Sequence, residues 1–219
     1  MRPASDEETR WLLAVLVGGR GRRLGGVPKG RLPAPQQTGR PLLERLVRMA
    51  PPLGAEAVLV GRADGYDGLL PEVPRLPDAP QVEGPLAGLL AALQRGGASG
   101  AEGVLLVGCD QWALTASDLA SLQREVGCTG RAAAFEVDGR IEPLPSGWPA
   151  DPATLRAVEQ RAAQGRGSLG GALRALQAVV LPGRPGAAAD WDRPQDVAEV
   201  LGAEVAARAL RRLARRDEP

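Results

Sequence analysis

The chain has no histidine and no asparagine, and only one lysine among its 219 residues. Without histidine it has no Ser/His/Asp triad, no histidine zinc site and no imidazole base, so acid, base and metal chemistry must fall to carboxylates. Two cysteines are too few for a disulfide framework or a CxxC metal site, which favours a reducing compartment. Arginine supplies every other cationic side chain, so the single lysine, Lys29, suggests that a compact ammonium group is needed at this position.

Strong charge and long hydrophobic runs are also missing. The formal net charge is +1, which gives no electrostatic reason to expect nucleic acid or an anionic membrane as a partner. No stretch reaches the ~18 consecutive apolar residues that a membrane span needs, and the first ten residues, MRPASDEETR, contain no apolar signal region. These absences predict a cytoplasmic protein without a nucleic-acid or membrane partner.

Short apolar runs alternate with helical patterns along most of the chain. The runs predict strands at residues 11–16, 57–60, 104–109, 132–137 and 178–181. The patterns between them predict helices at residues 41–50, 85–94, 116–126, 152–163 and 194–213, and Thr115 with Asp118 is typical of a helix N-cap. This alternation predicts an α/β fold in which helices cover a mostly parallel sheet.

The same patterns predict one domain, since no linker divides the chain. Residues 1–10 are expected to form a flexible tail, residues 11–205 the domain, and residues 206–219 an arginine-rich helix end and tail. The arginines of that last segment favour either a solvated helix face with a frayed end or a patch that binds nucleic acid or another partner.

The loop after the first predicted strand, VGGRGRRLGGVPKG, combines glycines with Arg23 and Lys29. Glycines let backbone N–H groups approach an anion, and the cations can neutralise it, so the loop indicates a phosphate site. A Walker A motif would need GK[ST], but Lys29 follows Pro28, and Leu24 stands where a dinucleotide fingerprint needs its third glycine. A flexible basic turn is the alternative.

Two aspartates could hold a metal ion. Asp110 directly follows a buried strand, where a carboxylate can hold Mg²⁺ against ligand phosphates, although it could also simply end the strand. Asp192 precedes the helix that begins at Pro194, so it is either a second metal ligand or the helix N-cap.

A further candidate lies in LPDAPQVEGPLAGLLAAL, which contains Asp78 and Gly84. Gly84 and Pro85 could merely start the helix, or the bare backbone at Gly84 could face a nucleobase. Spacing alone leaves both interpretations open.

Together these segments resemble the molybdenum cofactor guanylyltransferases of the nucleotidyltransferase superfamily. That family opens approximately LAGGxxxRMGGxDKxLL, and this chain has LVGGRGRRLGGVPKGRL. The resemblance continues through GRPLLERL, GPLAGLLAAL, the CD pair at residues 109–110, EPLPSGW and DWDRPQDV, and spans roughly residues 11–205.

The resemblance implies a single-domain, Rossmann-like three-layer sandwich of the nucleotide-diphospho-sugar transferase type. It implies transfer of GMP from Mg-GTP to the terminal phosphate of molybdopterin or molybdenum cofactor, with release of pyrophosphate. It also allows other cofactor-biosynthesis proteins or molybdoenzyme chaperones as partners. The implied nucleotide-binding residues are Leu16, Val17, Gly18, Gly19, Lys29, Asp78, Gly84 and Asp110; the catalytic residues are Lys29, Arg23 and Asp110; the Mg²⁺ ligands are Asp110 and Asp192.

Four sites depart from the family pattern. Pro28 replaces an aspartate, Val17 an alanine, and Gln111 and Trp112 a small residue and a proline, while Val60 stands near a base-contacting asparagine of relatives. Two alternatives therefore stay open: a sister nucleotidyltransferase that uses CTP or another phosphorylated acceptor, and a non-catalytic nucleotide- or cofactor-binding homologue.

Overall fold

The computed structural model describes residues 11–19, 21–35, 39–62, 65–80 and 82–214, so the tail predicted at residues 1–10 and the last five residues lie outside the described part. Its strands are β1 (Trp11–Leu16), β2 (Ala55–Val60), β3 (Arg75–Leu76), β4 (Gly103–Gly108), β5 (Ala133–Val137), β6 (Arg140–Pro149) and β7 (Val179–Pro182). Its α-helices are α1 (Leu42–Val47), α2 (Pro85–Ser99), α3 (Ala116–Thr129), α4 (Pro152–Ala163), α5 (Leu169–Ala175), α6 (Pro194–Leu201) and α7 (Ala203–Ala214).

All these strands form one sheet in the order β3-β2-β1-β4-β6-β5-β7. β6 runs antiparallel to both of its neighbours, and every other adjacent pair is parallel. The predicted mostly parallel α/β sheet is therefore confirmed. Because β1, β2 and β4 are parallel, their carboxyl ends meet at one edge, and the loops that follow them lie side by side.

Alternation along β1 explains why both faces of the sheet are covered. Leu12 and Ala14 belong to one buried cluster, together with side chains of α2, α4 and α5. Leu13 and Val15 point to the opposite face and belong to a second cluster, which includes side chains of α1, α3, α6 and α7. The sheet is thus the middle layer of three, as the family resemblance implies.

The strand β6 was missed because its sequence, RIEPLPSGWP, contains three prolines, which normally argue against an interior strand. The sheet register accommodates two of them at an irregularity, and the third, Pro149, ends the strand opposite Gly103. Opposite β5, the pairing steps from Glu142 directly to Ser146, so Pro143 and Pro145 fall in the stretch where the ladder is interrupted. A proline there removes no ladder hydrogen bond.

Local sequence determines the start of α3 and the break between α6 and α7. Thr115 and Asp118 form the predicted cap of α3 as a reciprocal capping box. The single helix predicted at residues 194–213 is wrong, because Gly202 adopts a positive φ of 82° and separates α6 from α7. Within the described ranges, no helix is both long enough and apolar enough to cross a membrane.

Candidate functional site

The glycine-rich loop after β1 folds back on itself. The carbonyl oxygen of Gly21 accepts hydrogen bonds from the backbone N–H groups of Leu24 at 2.8 Å and Gly26 at 3.0 Å. Gly21 has a φ of 51°, and a Cβ atom there would collide with the carbonyl of Val27, so this turn requires glycine. The tight turn returns the chain to the sheet edge, where Lys29 lies.

Three segments far apart in sequence meet at Lys29. Its Nζ donates hydrogen bonds to Asp110 Oδ2 at 2.8 Å and to Asp192 Oδ1 at 3.1 Å. Arg23 Nη1 donates to the other carboxylate oxygen of Asp192, Oδ2, at 2.6 Å. The structure therefore brings together all the predicted catalytic and metal-binding side chains: Arg23, Lys29, Asp110 and Asp192.

The charges of this cluster reinforce one another. Burial alone lowers the pKa of the Lys29 ammonium, but the carboxylates of Asp110 and Asp192 outweigh burial and leave that pKa above its ordinary value. The hydrogen bond from Lys29 and the nearby charge of Arg23 lower the pKa of Asp192. Lys29 is thus a permanent cation and Asp192 a permanent carboxylate near neutral pH.

Asp192 is not the cap of α6, so that interpretation is wrong. The carboxylate of Asp196 accepts the backbone N–H groups of Asp192 at 2.9 Å and Arg193 at 2.7 Å, which satisfies the helix start from within its first turn. The side chain of Asp192 is consequently free to face Lys29 and Arg23.

A third carboxylate, Asp190, lies within electrostatic range of this cluster. Burial, followed by repulsion from Asp110 and Asp192, raises the pKa of Asp190 to about 6. Even so, no group of three or more His, Cys, Asp and Glu side chains among the described residues is arranged to hold a metal ion. Oxygen ligands from two aspartates suit Mg²⁺, which usually takes one or two carboxylates plus substrate phosphates and water.

On the other side of the loop, Asp78 faces bare backbone. Cβ atoms built on Gly61, Gly88 and Gly18 would lie 3.4, 3.6 and 3.8 Å from its carboxylate oxygens. Burial raises the pKa of Asp78, and no hydrogen bond or charge from the described part of the chain shifts that pKa. Among the described residues, Asp78 is therefore an acceptor without a partner, and it lies near the start of α2, where Gly84 precedes the first turn.

The remaining residues predicted to bind the nucleotide lie at the end of β1 and in the loop that follows it. The carbonyl of Leu16 accepts the N–H of Cys109 at 3.1 Å, and the N–H of Val17 donates to the carbonyl of Val60 at 2.9 Å, while Gly18 and Gly19 are exposed at the edge. The side chains of Val17 and Val60 are 2% and 0% exposed. Val60 therefore does not offer its side chain to a base, and its departure from the family pattern is a matter of core packing.

Sequence reasoning missed Tyr66, the only tyrosine of the chain. Its hydroxyl accepts the N–H of Gly30 at 3.0 Å and lies 3.5 Å from Sγ of Cys109, so it links the residue after Lys29 to the residue before Asp110. Burial raises the pKa of Tyr66 and raises that of Cys109 to about 12, so both stay protonated. Being unique in the composition was the only available signal.

Two other departures are explained by packing. A Cβ atom on Gly65 would lie 2.6 Å from Cγ of Pro28, so the proline rests on bare backbone beside Tyr66. Gln111 is 2% exposed, and its Oε1 accepts the backbone N–H of Gly108 at 2.9 Å, which closes the turn that carries Asp110. Pro28 therefore supports the segment that carries Lys29, and Gln111 supports the turn that carries Asp110.

The sequence is similar to that of known proteins. The sequence profile of the MobA-like NTP transferase domain matches residues 13–179. A probable molybdenum cofactor guanylyltransferase of Opitutus terrae is 32% identical over 190 residues, covering 84% of this chain and 91% of that protein. A molybdenum cofactor guanylyltransferase of Pseudomonas fluorescens is 36% identical over 115 residues, covering 50% of this chain and 52% of that protein.

Solved structures share the fold. Molybdopterin-guanine dinucleotide biosynthesis protein A from Archaeoglobus fulgidus superposes with a TM-score of 0.69 at 22% identity, covering 90% of this chain and 98% of that one. The 2-C-methyl-D-erythritol 4-phosphate cytidylyltransferase of Thermus thermophilus superposes with a TM-score of 0.59 at 20% identity, covering 90% of this chain and 98% of that one. At such identities the likeness concerns the architecture alone.

Proposed function

The chain belongs to the family of MobA-like NTP transferase domains, and from that premise we propose that it transfers GMP from GTP to the terminal phosphate of molybdopterin or its molybdenum-loaded form. An oxygen of the acceptor phosphate would bond to the α-phosphorus of GTP, the bond from that phosphorus to the bridging oxygen would break, and pyrophosphate would leave. The observation that carries the proposal is Lys29, held between Asp110 and Asp192 beside the loop after β1.

The absence of histidine is compatible with this chemistry. A phosphate monoester has a second pKa of about 6, so the acceptor is already ionised near neutral pH and needs no strong base. The demand on the protein is alignment and neutralisation of charge. Lys29 remains protonated in its site, and Arg23 lies on the same side, so both are suited to hold phosphate oxygens.

Asp110 and Asp192 would hold the divalent cation, which we propose to be Mg²⁺. When bound, this ion supplies charge neutralisation at the phosphate oxygens. For the two carboxylates to take part, Lys29 must release them, and an incoming triphosphate offers its ammonium an alternative partner. The ion pairs seen around Lys29 are therefore exchangeable contacts of the site.

Asp78 supports GTP as the nucleotide. Guanine presents its N1–H and its exocyclic amine side by side, so one carboxylate can accept both. Cytosine offers an amine next to an unprotonated ring nitrogen, which a carboxylate repels. Since Asp78 has no partner among the described residues and is bordered by glycines, it can meet a planar base edge without first breaking a bond.

The decisive experiment supplies the purified protein with Mg²⁺, molybdopterin and either GTP, CTP or ATP, and follows pyrophosphate release together with the mass of the product. We expect release with GTP and a product heavier than the acceptor by one GMP unit. A preference for CTP would favour the sister nucleotidyltransferase, and no release with any nucleotide would favour the non-catalytic homologue; either result contradicts the proposal.

The role of Asp110 is tested by Asp110→Asn, which keeps the shape of the side chain but removes its charge. We expect loss of nearly all Mg²⁺-dependent turnover, because the cation would lose a ligand and Lys29 its principal partner. Glu125→Gln is the matched control: it makes the same chemical change near the end of α3, on the helix that leads away from the site edge. Equal rates in the two variants would remove Asp110 from its role.

A further inference from the structure

The segment that carries Asp110 and the segment that carries Asp192 are joined mainly through side chains. Among the described residues, no strand pairing or backbone hydrogen bond connects residues 108–114 with residues 187–193. Arg184 donates a hydrogen bond to the carbonyl of Ala113, but Arg184 lies well before Asp192 in the chain. Lys29 bridges the two carboxylates, but it must release them when they hold the cation, so another contact has to set their separation in that state.

Two tryptophans span this gap. The rings of Trp112 and Trp191 stack with centroids 6.4 Å apart and planes inclined by 12°, within the usual range for aromatic pairs. Trp191 lies directly between Asp190 and Asp192, and Trp112 lies two residues after Asp110. The stack therefore joins the two acidic segments immediately beside their carboxylates.

Each ring is held in place by a different means. Trp191 is 0% exposed, and its Nε1 has no hydrogen-bond partner among the described residues, so packing alone fixes its position. Trp112 is only half-buried, but its carbonyl accepts a hydrogen bond from Nη1 of Arg45 at 3.0 Å, which anchors its backbone to α1. The buried ring of Trp191 and the anchored backbone of Trp112 therefore leave the stacked pair little freedom to move.

We propose that Trp112 is a positioning residue: by stacking on Trp191 it fixes the separation of Asp110 and Asp192 and so tunes the site to a cation of the size of Mg²⁺. Mg²⁺ demands short, nearly octahedral coordination, whereas larger ions tolerate variable distances, so the rigidity of the ligand pair decides between them. This inference rests on the proposed function, because it assumes that both aspartates hold the divalent ion.

The test measures metal binding without turnover. Mn²⁺ bound to the protein with a non-hydrolysable GTP analogue is followed by electron paramagnetic resonance, and Mg²⁺ is titrated in to displace it. We expect Trp112→Ala to weaken Mg²⁺ binding roughly tenfold relative to Mn²⁺. Trp112→Leu, which keeps apolar bulk but cannot stack, should behave in the same way, and Trp112→Phe should restore binding to within about threefold.

Trp11→Phe is the control, since Trp11 is a buried tryptophan at the amino end of β1, opposite the strand ends that carry the site. It should change thermal stability without changing the Mg²⁺ to Mn²⁺ ratio. An unchanged ratio in folded Trp112→Leu overturns this inference and leaves the proposed function intact. Failure of the unsubstituted protein to bind either ion with the analogue overturns both.

Discussion

On the side of the site that we propose for the phosphates, Lys29 is hydrogen-bonded to Asp110 and Asp192, and Arg23 to Asp192. On the side that we propose for the base, Asp78 faces three glycines without a partner among the described residues. The phosphate side is already satisfied by its own charges, so a ligand must exchange partners there. The base side is open, so a ligand can add contacts without breaking any. On the proposed function, recognition of the base and alignment of the phosphates would therefore draw on different loops at this edge of the sheet.

The largest expected effect comes from removing the central cation of the phosphate side. Lys29→Ala should lower kcat/KM for GTP on the order of 10²- to 10³-fold, as loss of a charge-stabilising donor typically does. Lys29→Arg should recover only part of the rate, because a planar guanidinium cannot replace a compact ammonium between two carboxylates. Steady-state pyrophosphate release checks both variants, and rates within threefold of the original for Lys29→Ala would contradict the assignment.

Removing the divalent cation should weaken binding on the proposed phosphate side and leave binding on the proposed base side unchanged. Without a divalent cation, the triphosphate must compete with Asp110 and Asp192 for Lys29, a cost of about 3 kcal/mol that corresponds to roughly 100-fold weaker GTP binding. Guanosine, which has no phosphates, should bind equally well with Mg²⁺ or with EDTA. Calorimetric titration of both ligands tests this, and an equal loss for guanosine would show that the two sides are not independent.

A smaller effect is expected on the base side. Asp78→Ala should lower kcat/KM for GTP about tenfold, at the low end for a hydrogen bond to a charged group because Asp78 is exposed. ITP lacks the exocyclic amine of guanine, so the variant should also lose the preference for GTP over ITP. Glu83→Ala, which removes a neighbouring exposed carboxylate, should keep that preference; competition assays with the two nucleotides measure it.

The smallest effect should follow from the outermost cation. The side chain of Arg23 is 69% exposed, so its ion pair with Asp192 contributes little, and Arg23→Ala should change kcat/KM only about two- to fivefold. High salt should reduce the difference further, since exposed charges are screened. Arg22→Ala provides the neighbouring control, and a loss as large as that of Lys29→Ala would mean that Arg23 contributes to transition-state stabilisation far more than its exposure suggests.

Strong local signals made much of the fold predictable. The apolar runs before Val17 and before Cys109 identified β1 and β4, because strands buried on both faces need uninterrupted apolar sequence. The prolines of β6 hid a ten-residue strand, because local rules could not foresee the interrupted pairing that accommodates them. Gly202 could have been read as a helix end, but the apolar pattern continues across it.

The sequence by itself determined the residue types of the site: a glycine-rich loop, one lysine, and aspartates after a buried strand and before a helix. Only the tertiary structure decided that Asp192 faces Lys29 instead of capping α6, because Asp196 satisfies the helix start. It also decided the places of Tyr66 and Trp112, whose partners are distant in sequence. Local patterns fix what a backbone does within one turn, whereas contacts between segments depend on how the sheet brings its strand ends together.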